Sequence, residues 1–128
     1  MGSLSINCWN CRGFSAHSSN TNAKLEFLET HFFSNPFDVL GLVETHHGSE
    51  ADFPPLLQEY NLTHHLLHTP MHASDTCGGI VVVISKLFTV LNVTIPFPGR
   101  ILTATLQHTI TQVEYVFTFY YGLIPLRL

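Results

Sequence analysis

Two polar side chains stand at the ends of apolar segments near the start of the chain. Asn10 closes the alternating segment 4–10, and Glu44 follows the nearly all-apolar segment 37–43. If both segments are strands of an open α/β layer, their carboxyl ends converge on a common crevice, so we expect Asn10 and Glu44 to meet there. A carboxylate and an amide oxygen are hard ligands that suit Mg²⁺. The pattern therefore predicts a magnesium site, whereas a turn residue and a solvated loop acid are the plain structural interpretation of the same positions.

Cysteine and histidine residues allow other metal sites. Cys8 and Cys11 have the spacing of a zinc-ligand pair, but a zinc site needs further ligands that the spacing does not identify. A histidine-rich segment contains His64, His65, His68 and His72. If this segment were helical, its i, i+4 pairs could chelate a metal, whereas a histidine-rich surface segment is the other interpretation.

The elements that must position Asn10 and Glu44 are a strand, a helix and a second strand. After a predicted loop over 13–22, Asn22 is expected to cap a helix from Ala23 to about Phe33, because apolar residues recur at helical spacing. Asn35-Pro36 then ends the helix. Segment 37–43 is typical of a strand covered on both faces. Between 45 and 76 the pattern does not separate helix from strand around 60–67.

The second half of the chain is predicted to be an antiparallel meander. Its segments are rich in β-branched and aromatic residues, and turn signals separate them. The predicted strands are 80–85, 90–95, 100–106 and 113–120.

Composition limits the class of protein. A length of 128 residues fits one domain, and 45% hydrophobic residues exclude general disorder. No apolar run approaches the roughly 20 residues of a membrane helix, and no secretory signal is visible, so we expect an intracellular protein, nuclear or cytoplasmic, without a membrane partner. The net charge is −4 and the five Lys and Arg residues are scattered. This argues against autonomous binding of nucleic acid through phosphate neutralisation, so any such function must come from a specific site.

Four blocks of the sequence, in order, resemble motifs of the endonuclease/exonuclease/phosphatase superfamily. Segment 6–14, with Trp-Asn-Cys-Arg-Gly, is similar to the opening motif, most closely in the endonuclease domains of LINE-type retrotransposons. Segment 38–46 is similar to the second motif, a strand ending in Gln-Glu-Thr, with Val43 in place of Gln. Segment 78–83 resembles the third block, and Tyr120-Tyr121-Gly122 followed by Pro125 resembles a looser Asn-Val-Tyr-Ala-Pro.

The resemblance implies an α+β fold, the N-terminal part of a four-layer α/β/β/α sandwich similar to deoxyribonuclease I, mostly one mixed or antiparallel sheet with one covering helix. It implies a phosphodiester hydrolase that uses Mg²⁺ or Mn²⁺ and acts on DNA or another phosphoester. By position, Glu44 would be the metal ligand, with Asn10 beside it as a second ligand or a hydrogen-bonding residue. Tyr121 would place its hydroxyl on the scissile phosphate, and Tyr120 is the adjacent candidate for this role.

The resemblance also implies a partial domain. In the family, an Asp-x-Asn motif and an Asp-His pair follow the tyrosine block, and this sequence contains no Asp-x-Asn. Residues 1–128 are therefore expected to be a truncated domain that is inactive alone. The alternatives are a catalytically dead retroelement relic acting as a binding or self-associating module, and a histidine-rich metal binder. Self-association is expected because the partner sheet of the meander would come from missing sequence, leaving one apolar sheet face exposed.

Overall fold

A computed structural model describes residues 4–14, 21–34, 36–73, 75 and 77–122. In this part of the chain, seven strands and two α-helices follow one another in a mixed α+β order. They are β1 Ile6–Asn10, α1 Thr21–Leu28, β2 Val39–Val43, α2 Pro55–Tyr60, β3 His64–Thr69, β4 Ile80–Ser85, β5 Phe88–Phe97, β6 Ile101–His108 and β7 Glu114–Tyr120. A π-helical turn, Glu29–Phe33, extends α1, and a 3-10 turn, Glu50–Asp52, precedes α2.

The first sheet, sheet A, has the strand order β1-β2-β4-β3. Strand β1 runs parallel to β2, and β4 runs antiparallel to both of its neighbours. All five residues of β2 are buried, and so are the first five of β4. The prediction that segment 37–43 contains a strand covered on both faces is therefore confirmed.

The second sheet, sheet B, is an antiparallel meander in the order β5-β6-β7. The predicted meander of four strands was wrong in its first member, because β4 pairs with β2 and β3 instead. The reason lies in the side chains: β4 is apolar on both faces and suits a central, doubly covered strand. In β6, by contrast, buried and half-buried positions alternate. Pro96 is tolerated because β5 is an edge strand of sheet B.

The two sheets pack face to face and share one core. Val39 and Val82 of sheet A lie in the same buried cluster as Leu102 and Phe117 of sheet B. The expectation of mostly one sheet was therefore wrong, and so was the expectation that the partner of sheet B would come from missing sequence. The chain passes from sheet A to sheet B between β4 and β5. Sheet A itself therefore covers the inner face of sheet B.

A second core lies on the other side of sheet A, beneath the helices. Leu28 of α1 and Leu57 of α2 are buried there against Leu40 and Val81. Two helices, rather than the single predicted one, therefore contribute to this layer. Between them, the two clusters bury both faces of β2, the strand that carries Glu44 at its end.

The first helix differs from its predicted boundaries at its start. The predicted helix from Ala23 begins earlier, at Thr21, so Asn22 lies inside it, and the turn 29–33 completes its predicted length. The predicted loop 13–22 and the stop at Asn35-Pro36 fall partly outside the described residues. Among the described residues, no helix has the length and apolar content needed to cross a membrane.

The ambiguous region around 60–67 is the end of α2 followed by β3. The histidine-rich segment begins in this strand, so the chelating pairs expected for a helix do not form. His64 and His68 are about 13 Å apart along an extended chain.

Candidate functional site

Asn10 and Glu44 lie at the carboxyl ends of neighbouring parallel strands, as predicted. Asn10 is the register partner of Val43, whose side chain belongs to the core between the sheets, so Asn10 faces the same side of sheet A. The pairing continues past the strands, because the Gly13 N–H donates to the Glu44 carbonyl at 2.6 Å. The side-chain oxygen Oδ1 of Asn10 accepts the Arg12 N–H at 3.2 Å, which makes Asn10 a turn residue as well.

The backbone is strained where it enters this site. Glu44 has φ = +58°, and Arg12 and His46 are also left-handed, at +50° and +60°. Such conformations cost a non-glycine residue of order 1–3 kcal/mol and persist only where surrounding contacts enforce them. Here the contacts are hydrogen bonds from the N–H groups of Thr45 and His46 to the carbonyls of Gly79 and Gly78. The site loop is therefore held by the two glycines that lead into β4.

The Glu44 carboxylate is largely buried and has two side-chain partners. Its side chain is 16% exposed, and its Oε1 lies 3.3 Å from Nε2 of His46. Glu44 also lies close enough to the hydroxyl of Tyr121, which follows β7 of sheet B, for its charge to raise the pKa of that hydroxyl. A hydrogen bond with Cys77, desolvation and the charge of Glu44 raise the pKa of Tyr121 to about 12. Tyr121 is therefore protonated at neutral pH and can donate a hydrogen bond.

Arg100 packs against Tyr121 at the start of β6. Its Cζ lies 5.3 Å from the centroid of the Tyr121 ring, and its carbonyl accepts the Tyr121 N–H at 2.8 Å. The guanidinium also contacts Cys77 Sγ at 3.8 Å and Asp75 Oδ2 at 3.5 Å. A Cβ at Gly122 would collide with the guanidinium, so the glycine leaves room for this arrangement.

Of the two candidate tyrosines, Tyr121 is the one at the site. Tyr120 is 65% exposed, and its register partner Ile101 lies on the outer face of sheet B. Phe119, two residues before Tyr121, packs on Gly41 of β2 so closely that no Cβ would fit there. This close approach packs the end of β7 against the middle of β2.

The site offers few oxygen ligands for a cation. Within the described ranges, no group of three or more His, Cys, Asp or Glu side chains could hold a metal. Glu44 and Asn10 supply one carboxylate and one amide oxygen, which are hard donors that fit Mg²⁺ if water completes its coordination. The donor set is compatible with a weakly bound, largely hydrated Mg²⁺.

A second polar cluster begins next to Glu44, in the loop after β2. Thr45 Oγ1 hydrogen-bonds His47 Nδ1, and His47 Nε2 lies 3.3 Å from His68 Nδ1 on β3. His68 Nε2 in turn lies 3.1 Å from Glu50 Oε1. Thr45 and His47 are buried, whereas Glu50 is 74% exposed. The chain of hydrogen bonds thus runs from the interior to the surface.

Sequence reasoning missed Cys77, Arg100 and the His47–His68 pair. Arg100 was visible only as one scattered basic residue, and no spacing connects it with Tyr121. A His-His dipeptide directly after Glu44 was a signal that the loop carries titratable groups, but nothing indicated which of the two is buried. Comparison with known proteins adds no relative, since no family model and no curated protein matches the chain.

Proposed function

We propose that this chain carries the metal-binding and tyrosine part of the active site of a Mg²⁺-dependent phosphodiester hydrolase of the endonuclease type, acting on DNA. The observation that carries the proposal is the approach of the Tyr121 hydroxyl to the Glu44 carboxylate, whose charge acts on it. These residues come from different sheets and from two of the sequence blocks that resemble one superfamily. They approach each other beyond the end of β2, at the same edge of sheet A where β1 ends in Asn10, as a shared phosphodiester site requires.

Each residue has a role that follows from its chemistry. Glu44 would hold the metal, and Asn10 would bind the metal or one of its waters. When bound, Mg²⁺ would polarise a phosphoryl oxygen and lower the pKa of a bound water. Tyr121, protonated at neutral pH, would donate its hydroxyl hydrogen to a phosphoryl oxygen, and Arg100 beside it adds positive charge. Strain at Glu44 is the kind of feature that clusters at functional sites.

The proposal can be tested with Mn²⁺, which substitutes for Mg²⁺ and broadens nearby NMR signals. In the ¹⁵N-labelled chain, Mn²⁺ should broaden the amide signals of residues 10, 44 and 121 first. Glu44→Gln should remove this effect, while Glu114→Gln, an exposed acid at the start of β7, should leave it unchanged. Broadening that persists in Glu44→Gln, or that spares all three residues, would rule out the metal site.

A second candidate function, a non-catalytic module that self-associates, is favoured by one observation. The outer face of sheet B carries exposed apolar side chains, among them Val116 at 70% and Phe97 at 49%. Phe97, Ile101 and Tyr120 are neighbours in register on this face. If a second copy covers the face, light scattering will detect oligomers that Val116→Thr combined with Tyr120→Thr converts to monomers. A monodisperse 14.4 kDa species would exclude this function.

A further inference from the structure

Two histidine rings that take no part in the Glu44–Tyr121 site face each other on the side of sheet A that the helices cover. His47 follows β2 and His68 belongs to β3, and their facing nitrogens, Nε2 and Nδ1, are 3.3 Å apart. This is longer than the 2.7–3.2 Å of well-formed protein hydrogen bonds. In a tetrahedral zinc site, Zn–N bonds of about 2.0–2.1 Å place two ligating nitrogens about 3.3 Å apart. The separation therefore fits two ligands of one ion, and without an ion the same two nitrogens form a long hydrogen bond.

The remaining nitrogen of each ring has an oxygen partner. Glu50 accepts from Nε2 of His68 at 3.1 Å, so the neutral form of His68 in this contact has its lone pair on Nδ1, the nitrogen that faces His47. Thr45 Oγ1 contacts Nδ1 of His47, and a hydroxyl can either donate or accept there. If the His47 proton resides on Nδ1 and is donated to Thr45, the Nε2 lone pair is freed as well. Partners of this kind orient metal-binding histidines in known sites.

The surroundings keep both rings in place. Phe53 packs against them, with ring centroids 5.0 Å from His47 and 5.3 Å from His68. Burial and the neighbouring His68 lower the pKa of His47 to about 4, against a smaller opposing effect of Asp52. At neutral pH His47 is therefore unprotonated, the form that binds metals. His68 is 23% exposed, which gives an ion a route from solvent.

We propose that His47 and His68 form a binding site for one Zn²⁺ ion, with water completing its coordination. Imidazole nitrogens suit Zn²⁺ and other late transition metals, whereas Mg²⁺ prefers oxygen. In the described part of the chain, no third His, Cys, Asp or Glu joins the pair, so the site would keep open positions. The proposal does not depend on the phosphodiesterase proposal, because the polar partners of the two histidines are Thr45, Glu50 and each other, none of which is proposed to hold Mg²⁺.

Zinc titration of the metal-stripped chain by calorimetry tests this site. The wild type should bind one Zn²⁺ per chain. His68→Gln keeps a similar size but loses the imidazole, and its affinity should fall by more than about 100-fold, beyond the cost of losing a supporting partner. Glu50→Gln should weaken binding by about 10- to 100-fold. His64→Gln, on the same strand and face, is the control and should bind like the wild type.

NMR of the histidine side chains provides a readout that needs no variant. Zinc should shift the His47 Nε2 and His68 Nδ1 signals, and the His47 proton should then be found on Nδ1. Equal zinc affinity in the wild type and a folded His68→Gln would overturn the proposal, because other histidines of the chain would then be responsible. Failure of the folded wild type to bind Zn²⁺, or shifts confined to other rings, would overturn it as well.

Discussion

Acidification should destabilise this protein through His47. The side chain is 1% exposed and hydrogen-bonds Thr45 and His68. Burial, together with the charge of His68, lowers its pKa from 6.5 to about 4, while Asp52 acts in the opposite direction. Folding therefore disfavours the protonated form of this histidine.

The size of this destabilisation follows from the pKa values of His47 in the unfolded and folded chain. Above pH 6.5 His47 is neutral in both states, and the folded protein has its full stability. Between pH 6.5 and about 4, His47 binds a proton in the unfolded chain but not in the folded chain. The free energy of unfolding then falls by about 1.4 kcal/mol per pH unit, to a total of about 3 kcal/mol. Below about pH 4 both states are protonated, and this contribution no longer changes. Against a typical total of about 5–15 kcal/mol, the loss is large.

Urea unfolding at a series of pH values, in the presence of a chelator, measures this effect. The single tryptophan, Trp9, packs against Phe14 and Phe27 and can report unfolding by fluorescence. His47→Gln should flatten the pH dependence over this range. His31→Gln, which replaces an exposed histidine of the π-helical turn, should retain it. An unchanged pH dependence in His47→Gln would refute the reasoning.

Three further predictions concern the site and its support. Gly41→Ala should lower the free energy of unfolding by about 1–3 kcal/mol, because the new methyl group meets the Phe119 ring, and Phe119→Leu should partly restore it in chemical denaturation. Glu44→Gly should be more stable than Glu44→Ala by about 1 kcal/mol, since residue 44 has a positive φ; equal stabilities would show that the backbone is not held there. Plasmid incubated with Mg²⁺ and the 128-residue chain should stay supercoiled, because the sequence lacks the Asp-x-Asn motif and positioned acid–base groups contribute about 10²–10⁴ in rate. Nicking of the plasmid that Glu44→Gln abolishes would contradict this prediction.

The sequence predicted individual elements better than it predicted their assembly. The apolar run ending at Val43 indicated a buried strand, because a short run with almost no polar positions is typical of a strand covered on both faces. The strand 80–85 was also recognised, but its sheet was not. Which strands become neighbours depends on pairing across the chain, and β4 could pair with β5 or with β2 on local pattern alone. Only the packing of the two sheets decides between them.

The same distinction applies to the site. Asn10 and Glu44 could be assigned to one edge of sheet A because parallel strands end at a common edge. The approach of Tyr121 to Glu44 could not be derived from spacing, and the family resemblance indicated Tyr121 only as a candidate for contacting the phosphate. Cys77 and Arg100 come close to Tyr121 only because the folded chain passes between the two sheets. No local sequence pattern indicates such a contact. The His47–His68 pair likewise depends on β3 lying next to β4.

Anomalous diffraction from crystals of the chain grown with Mn²⁺ would test the central claim most directly. The account predicts a manganese peak at the Glu44 carboxylate, on the side of sheet A that Asn10 faces, with the Tyr121 hydroxyl beside the carboxylate. A structure with no peak at Glu44, and with Tyr121 turned away from the carboxylate, would contradict it.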